Sequence, residues 1–202
     1  MKKAVLFFAV LIFSSSGLSA QYGMTDQERN FAVKHLTDTR NGLMEVVKAL
    51  SLPQMNFKLN TESWSVAECL RHITLSEQNI WVGLITIGLA MEADPSKRAE
   101  VQITDGILLD MIESRKEKVK TFASFEPENK PEPINEVLKE FNSLRKDHIL
   151  FMKESDDNLR NRYADVPMGR VDLYQSILFM SGHTRRHTDQ IKEVIDSPNF
   201  PK

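Results

Sequence analysis

The chain has 202 residues, 41% of them hydrophobic, with 26 basic and 28 acidic side chains and a formal charge of −2. That length supplies one sizeable core without requiring two domains, and with no basic excess nucleic acid is not an expected partner. Cys69 is the single cysteine, which excludes an intramolecular disulfide and leaves the fold to rest on its hydrophobic core.

Residues 1–20 read as a secretory signal. Lys2 and Lys3 precede the apolar run Ala4–Phe13, and the small-residue segment Ser14–Ala20 follows. The apolar run is well short of the roughly 20 residues a membrane helix needs. A cut after Ala20 is expected, although Leu18 stands where a small residue is preferred, and an uncleaved N-terminal anchor is the alternative. Gln21 occupies the position at which a lipoprotein would need cysteine. The expectation is an exported domain over residues 21–202, periplasmic or secreted, with no stable membrane insertion after cleavage.

From Thr25 onward apolar residues recur at helical spacing without sustained alternation, which predicts an all-α chain. The first helix is expected from Asp26 to Leu50, capped by Thr25, with Ala32, Leu36, Leu43, Val47 and Leu50 on one face. A second begins at Ser63-Trp64-Ser65, where Ser65 and Glu68 have capping-box spacing, and turns Val66, Leu70, Ile73, Ile80, Leu84, Ile87 and Met91 inward. A third, shorter helix covers Asp105 to about Ala123, and the proline-rich run Glu126–Pro133 is a linker. Helix four starts near Pro133 and lines its buried side with Ile134, Leu138, Phe141, Leu144 and Phe151. The segment from Ser155 to Arg162 frays. The last helix runs from Val171 to Ile195 on a stripe of Leu173, Ile177, Met180, Ile191 and Val194. Four long helices and one additional short one, joined by both short and long connections, predict a four-helix bundle with one crossover.

Bundles place metal and ligand sites between facing helices, so inward polar residues are the candidates. His183 and His187 stand four residues apart, one turn on one face, in register with Met180, Ile191 and Val194. Two imidazoles in an apolar seam need polar partners, and a divalent cation satisfies them. A pair of satisfied core histidines would show the same spacing, and the metalloprotease glutamate is absent. His72, at the edge of the second helix's stripe beside Cys69 and Ser76, offers a third ligand; His148, on the Phe141 face of helix four, competes with it, and periodicity does not choose between them. His35 reads as a boundary residue.

Two segments carry a resemblance. The run Trp64-Ser65-Val66-Ala67-Glu68-Cys69-Leu70-Arg71-His72 resembles the second-helix motif of the DinB-like superfamily, and His183-Thr184-Arg185-Arg186-His187 followed by Gln190-Ile191 resembles its final-helix motif. The resemblance covers nearly all of the chain beyond residue 20. It implies an up-down-down-up bundle in which His72, His183 and His187 hold one divalent metal ion, with His148 outside the pattern. Imidazole ligands and open positions suit Zn, Ni, Fe or Mn.

Three neutral ligands leave the ion its full charge, able to lower the pKa of bound water or thiol and to polarise a substrate oxygen. The resemblance implies a metal-dependent hydrolase of a small molecule or, as the alternative, a thiol-dependent S-transferase or isomerase; a non-catalytic metal- or ligand-binding bundle fits the same residues, and a homodimer fits the architecture. Glu68, one turn before His72, and Glu77 are the candidate catalytic carboxylates, against the plainer readings of a capping glutamate and a boundary salt bridge. Arg185 and Arg186 flank the histidine pair and could steer an anion, Gln190 could orient a ligand, and Trp64 and Trp81 are most simply core anchors.

Overall fold

The computed structural model describes residues 23–117, 120–127 and 133–202. The signal segment at residues 1–20 and residues 128–132 of the expected linker lie outside the described residues.

Helix α1 (Asp26–Val47) begins at Thr25 because the Thr25 hydroxyl accepts from the Glu28 N–H while the Glu28 carboxylate accepts from the Thr25 N–H. The same reciprocal device starts α3 (Val66–Ile80) at Ser65 and Glu68, after the short α2 (Leu52–Met55). A π-helical turn, Trp81–Thr86, leads from α3 into the single turn α4 (Ile87–Leu89). Helix α5 (Asp105–Glu113) and α6 (Ile134–Glu154) follow. An antiparallel hairpin of β1 (Tyr163–Val166) and β2 (Gly169–Asp172) then runs directly into α7 (Leu173–Ile195), which Asp172 and Gln175 cap.

Two core clusters show the direction of each helix. One holds Ala32, Leu36, Ile80, Met152 and Ile177; the other holds Leu43, Val47, Val66, Leu70, Val137, Phe141, Ile191 and Val194. Helices α1 and α7 therefore run from the first cluster to the second, and α3 and α6 run the other way. This is up-down-down-up, with α1 and α3 each packed on both α6 and α7. Parallel neighbours cannot be joined by a tight turn, so the long α3–α6 connection passes outside the bundle, carrying α5 against α7. That contact is close. A Cβ on Gly182 would stand 2.5 Å from Cγ2 of Ile112, so only glycine lets α5 lie this near the site-bearing helix.

The far end of the bundle is tied by ions. Arg160, stacked 4.0 Å from the Tyr174 ring centre, binds Glu28 of α1, Asp105 of α5 and Asp172 at the head of α7.

Four expectations need correction. The π turn adds one residue to the register of the second helix, so Ile85 and Gly88 face inward while Ile87 and Met91 are 58% and 57% exposed, against the inward positions expected for them. In α6 the buried line is Val137, Phe141, Arg145, His148 and Met152, one position on from Leu144 and Phe151, because a buried ion pair replaces apolar residues at its centre. The third helix stops at Glu113, ten residues early; the charged segment beyond offers little to bury, and Arg115 instead pairs with Glu193 and Gln190 along α7. Finally, a hairpin follows the expected frayed segment. Its strands have four residues each, too few for alternation to show, and Gly169 at φ +123° takes the chain out of the Pro167-Met168 turn.

Candidate metal centre

Helix α3 brings His72, and α7 brings His183 and His187 one turn apart. Their Nε2 atoms form a nearly equilateral triangle: 3.3 Å from His72 to His183, 3.2 Å from His72 to His187 and 3.2 Å from His187 to His183. Among the described residues this is the group of His, Cys, Asp and Glu side chains whose donors converge for a metal.

Two of the three tautomers are fixed by neighbours. The Nδ1 atom of His72 faces the Phe125 carbonyl at 2.7 Å, and a carbonyl only accepts, so the proton sits on Nδ1 and Nε2 presents a lone pair. The Nδ1 atom of His187 faces Oε1 of Gln190 at 2.9 Å. That oxygen also accepts from Nη1 of Arg115, a group that only donates, which fixes the amide orientation. Two lone pairs thus point at each other across 3.2 Å. One shared proton could satisfy only part of the triangle; a cation satisfies all of it. Three nitrogens held 2.0–2.1 Å from one ion would stand about 3.4 Å apart at tetrahedral angles and about 2.9 Å apart at right angles. The observed edges fall between, so the residues fit a divalent ion with positions left over.

Electrostatics favour the neutral, ligating form. Burial, then the charge of neighbouring His72, pushes His187 down to about 3. Burial and the two other rings hold His183 well below the ordinary value, and burial outweighs the Phe125 carbonyl to lower His72. The Trp64 ring packs on the second core cluster, as expected of a core anchor, and lies 4.7 Å from the His72 ring.

The carboxylates are engaged elsewhere. Glu68 closes the α3 cap and pairs with Lys58 at 2.7 Å; it does not meet the second nitrogen of His72, whose partner is Phe125. Glu77 is buried between Arg145, bound through both oxygens at 2.6 Å, and Nδ1 of His148 at 2.8 Å. Burial alone would raise its pKa; the Arg145 charge and the His148 bond hold it below the carboxylate range. His148 itself stacks on Trp81, ring centres 3.8 Å apart, and is not part of the triangle. Cys69 is a core residue whose thiol burial pushes up to about 12. Arg185 is exposed and faces Glu113, whereas Arg186 is 9% exposed, donates to the Glu117 carbonyl and has no carboxylate partner among the described residues.

Sequence reading missed the Phe125 carbonyl and Arg115. A backbone acceptor on a distant loop leaves no side-chain signal, and Arg115 lies where helix was expected. A surface groove of about 240 Å³ between α1 and α7, lined by Asp38, Thr39, Gly42, Arg185, Thr188, Asp189 and Lys192, contains none of the three histidines; it is the donor chemistry that marks the site.

Fold and donor set define an up-down-down-up helical bundle with a three-histidine group between α3 and α7. The family model described as the DinB superfamily matches residues 35–191, and the chain belongs to that superfamily. Among solved structures it is similar to YfiT from Bacillus subtilis, described as a probable metal-dependent hydrolase with an unusual four-helix bundle topology. The TM-score is 0.56 at 14% identity, over 86% of this chain and 89% of that one. At that identity the likeness shows the fold. No curated protein matches the chain.

Proposed function

We propose that this chain is an exported metal-dependent enzyme acting on a small molecule, in the first instance a hydrolase. The observation that carries the reading is the triangle of Nε2 atoms with two tautomers fixed outward. His72, His183 and His187 would hold one divalent ion, Zn, Ni, Fe or Mn. Bound there, the ion would supply positive charge to polarise a substrate oxygen and to lower the pKa of water or a thiol. The protein's own part is to orient the rings through Phe125 and Gln190, to keep them unprotonated by burial, and to shield one face with Trp64. Arg186, a nearly buried cation with no carboxylate at ion-pair distance among the described residues, adds positive charge beside the ring pair and favours an anionic or carbonyl-bearing substrate. Export rests on the basic, apolar and small-residue order of residues 1–20.

One observation favours the second reading. No carboxylate belongs to the donor group among the described residues, so hydrolysis lacks an evident protein base. A thiol-dependent S-transferase or isomerase, or a non-catalytic metal-binding bundle, needs none.

The test is elemental analysis of the tag-free protein purified from the cell envelope fraction, beside the His72→Ala/His187→Ala double variant. The expected result is about one divalent ion per chain, absent from the variant, in protein that starts at Gln21. Ester and amide panels with and without an added thiol then separate hydrolase from transferase. A metal-free wild type whose melting temperature ignores chelator would end the reading.

A further inference from the structure

The buried hydroxyls of this bundle nearly all find partners. Thr74, Ser176, Thr184 and Thr188 each donate back to the carbonyl four residues earlier, Thr39 donates to the His35 and Leu36 carbonyls, Ser181 bonds Thr39 and His35, and Ser65 caps α3. Ser76 is the exception. It is 1% exposed, and its Oγ is the buried side-chain polar atom without a hydrogen-bond partner among the described residues. The local solution its neighbours use, donation to the carbonyl one turn back, is not taken. An unpaired buried hydroxyl is less favourable than a methyl group in the same place, so a serine held this way indicates a partner that arrives from outside the chain.

Position identifies that partner. Ser76 lies one turn beyond His72 on the same edge of α3. Helices α3 and α7 are antiparallel, with Val66 in one cluster with Val194 and Ile80 in the other with Ile177. Moving one turn along α3 from the His72–His187 contact therefore leads to the level of His183. Helical spacing thus sets Ser76 at the level of His183 on the His72 side of α3, outside the donor set of the metal centre.

The geometry points to Ser76 as the hydrogen-bonding contact for the exogenous ligand that completes the three-histidine centre, a positioning residue that gives its hydroxyl proton to an anionic or oxygen-bearing group. This rests on the metal reading above and adds to it a specific protein contact for what the metal binds. The α-helix holds the serine at a fixed distance from His72, so the contact selects where on the ion the ligand sits.

The experiment uses Ser76→Ala and Ser76→Thr in the full mature chain, with Co²⁺ as the metal and sodium azide as the probe anion, read by the visible ligand-field bands. In metal-free protein Ser76→Ala is expected to raise the melting temperature by about 2–4 °C, the reverse of removing a satisfied hydroxyl. With Co²⁺ bound, Ser76→Ala should keep the wild-type Co²⁺ affinity and lose about 5- to 10-fold in azide affinity, which Ser76→Thr should restore. A lower melting temperature in metal-free Ser76→Ala would show an internal partner and overturn the assignment. Unchanged azide affinity in a Co²⁺-loaded variant would overturn it while leaving the metal site standing, whereas a wild type that takes up no Co²⁺ would remove both.

Discussion

Oε1 of Gln190 accepts hydrogen bonds from His187 and from Arg115 at once, at 2.9 and 3.2 Å, and so commits His187 to the tautomer whose Nε2 faces His72. Outer partners of this kind set the orientation and basicity of a ligating ring. Gln190→Leu preserves the volume but leaves the His187 N–H unpaired. Metal affinity should fall about 10- to 100-fold with little change in the fold, as read by competitive titration with a chelator. Wild-type affinity in this variant would mean that packing alone orients the ring.

The Glu77–Arg145 pair predicts that the double substitution costs less than the single one. Both side chains are fully buried, and Arg145 also reaches the Leu36 carbonyl, Thr39 and Thr184, so three helices meet on one guanidinium. Arg145→Met strands a buried carboxylate and should cost about 3–5 kcal/mol in urea unfolding. Adding Glu77→Leu to Arg145→Met should recover most of that, because a removed pair leaves no uncompensated charge. Additive losses would refute this account.

A pH dependence follows from His35. Its Nε2–H donates to Glu113 at 3.0 Å and its Nδ1 accepts from Ser181 at 2.7 Å, so the neutral ring is fully bonded. Burial first, then the Arg185 and Arg145 charges, lowers its pKa to about 4, outweighing any pull from Glu113, whose own pKa burial raises. The unfolded ring titrates near 6.5. Between these values the unfolded chain binds the extra proton, so the His35 contribution is complete above about pH 6.5 and declines as pH falls towards 4. Metal-free wild type should lose more stability between pH 7.5 and 4.5 than His35→Gln does, measured by urea midpoints. Parallel curves for the two proteins would exclude the linkage.

The sequence made the site more legible than the scaffold around it. Periodicity left His72 and His148 level, and only the resemblance of the Trp64–His72 run to the DinB-like second-helix motif singled out His72, whereas His183 and His187 could be paired by one-turn spacing. Caps at Thr25 and Ser65 were legible for the same local reason. What stayed hidden depends on contacts between distant segments. Arg145 in the core is intelligible only once Glu77 stands opposite, and the Phe125 carbonyl only once the long connection crosses α3. Nor does the π turn have a sequence signature, since the apolar run Trp81–Met91 would satisfy either register.

That turn divides a continuous helix into two pieces whose inward positions differ by one residue in register. The helical turns that carry His72 lie before Trp81, while the outward placement of Val82, Ile87 and Met91 is decided from the wide turn onward. Deleting one of the exposed residues Val82 or Gly83 would let the wide turn relax into ordinary α-helix with Ile85 and Gly88 still facing inward, because the turn absorbs one extra residue. The chain therefore has a place where its length can change by one residue while the core positions on either side keep their facing.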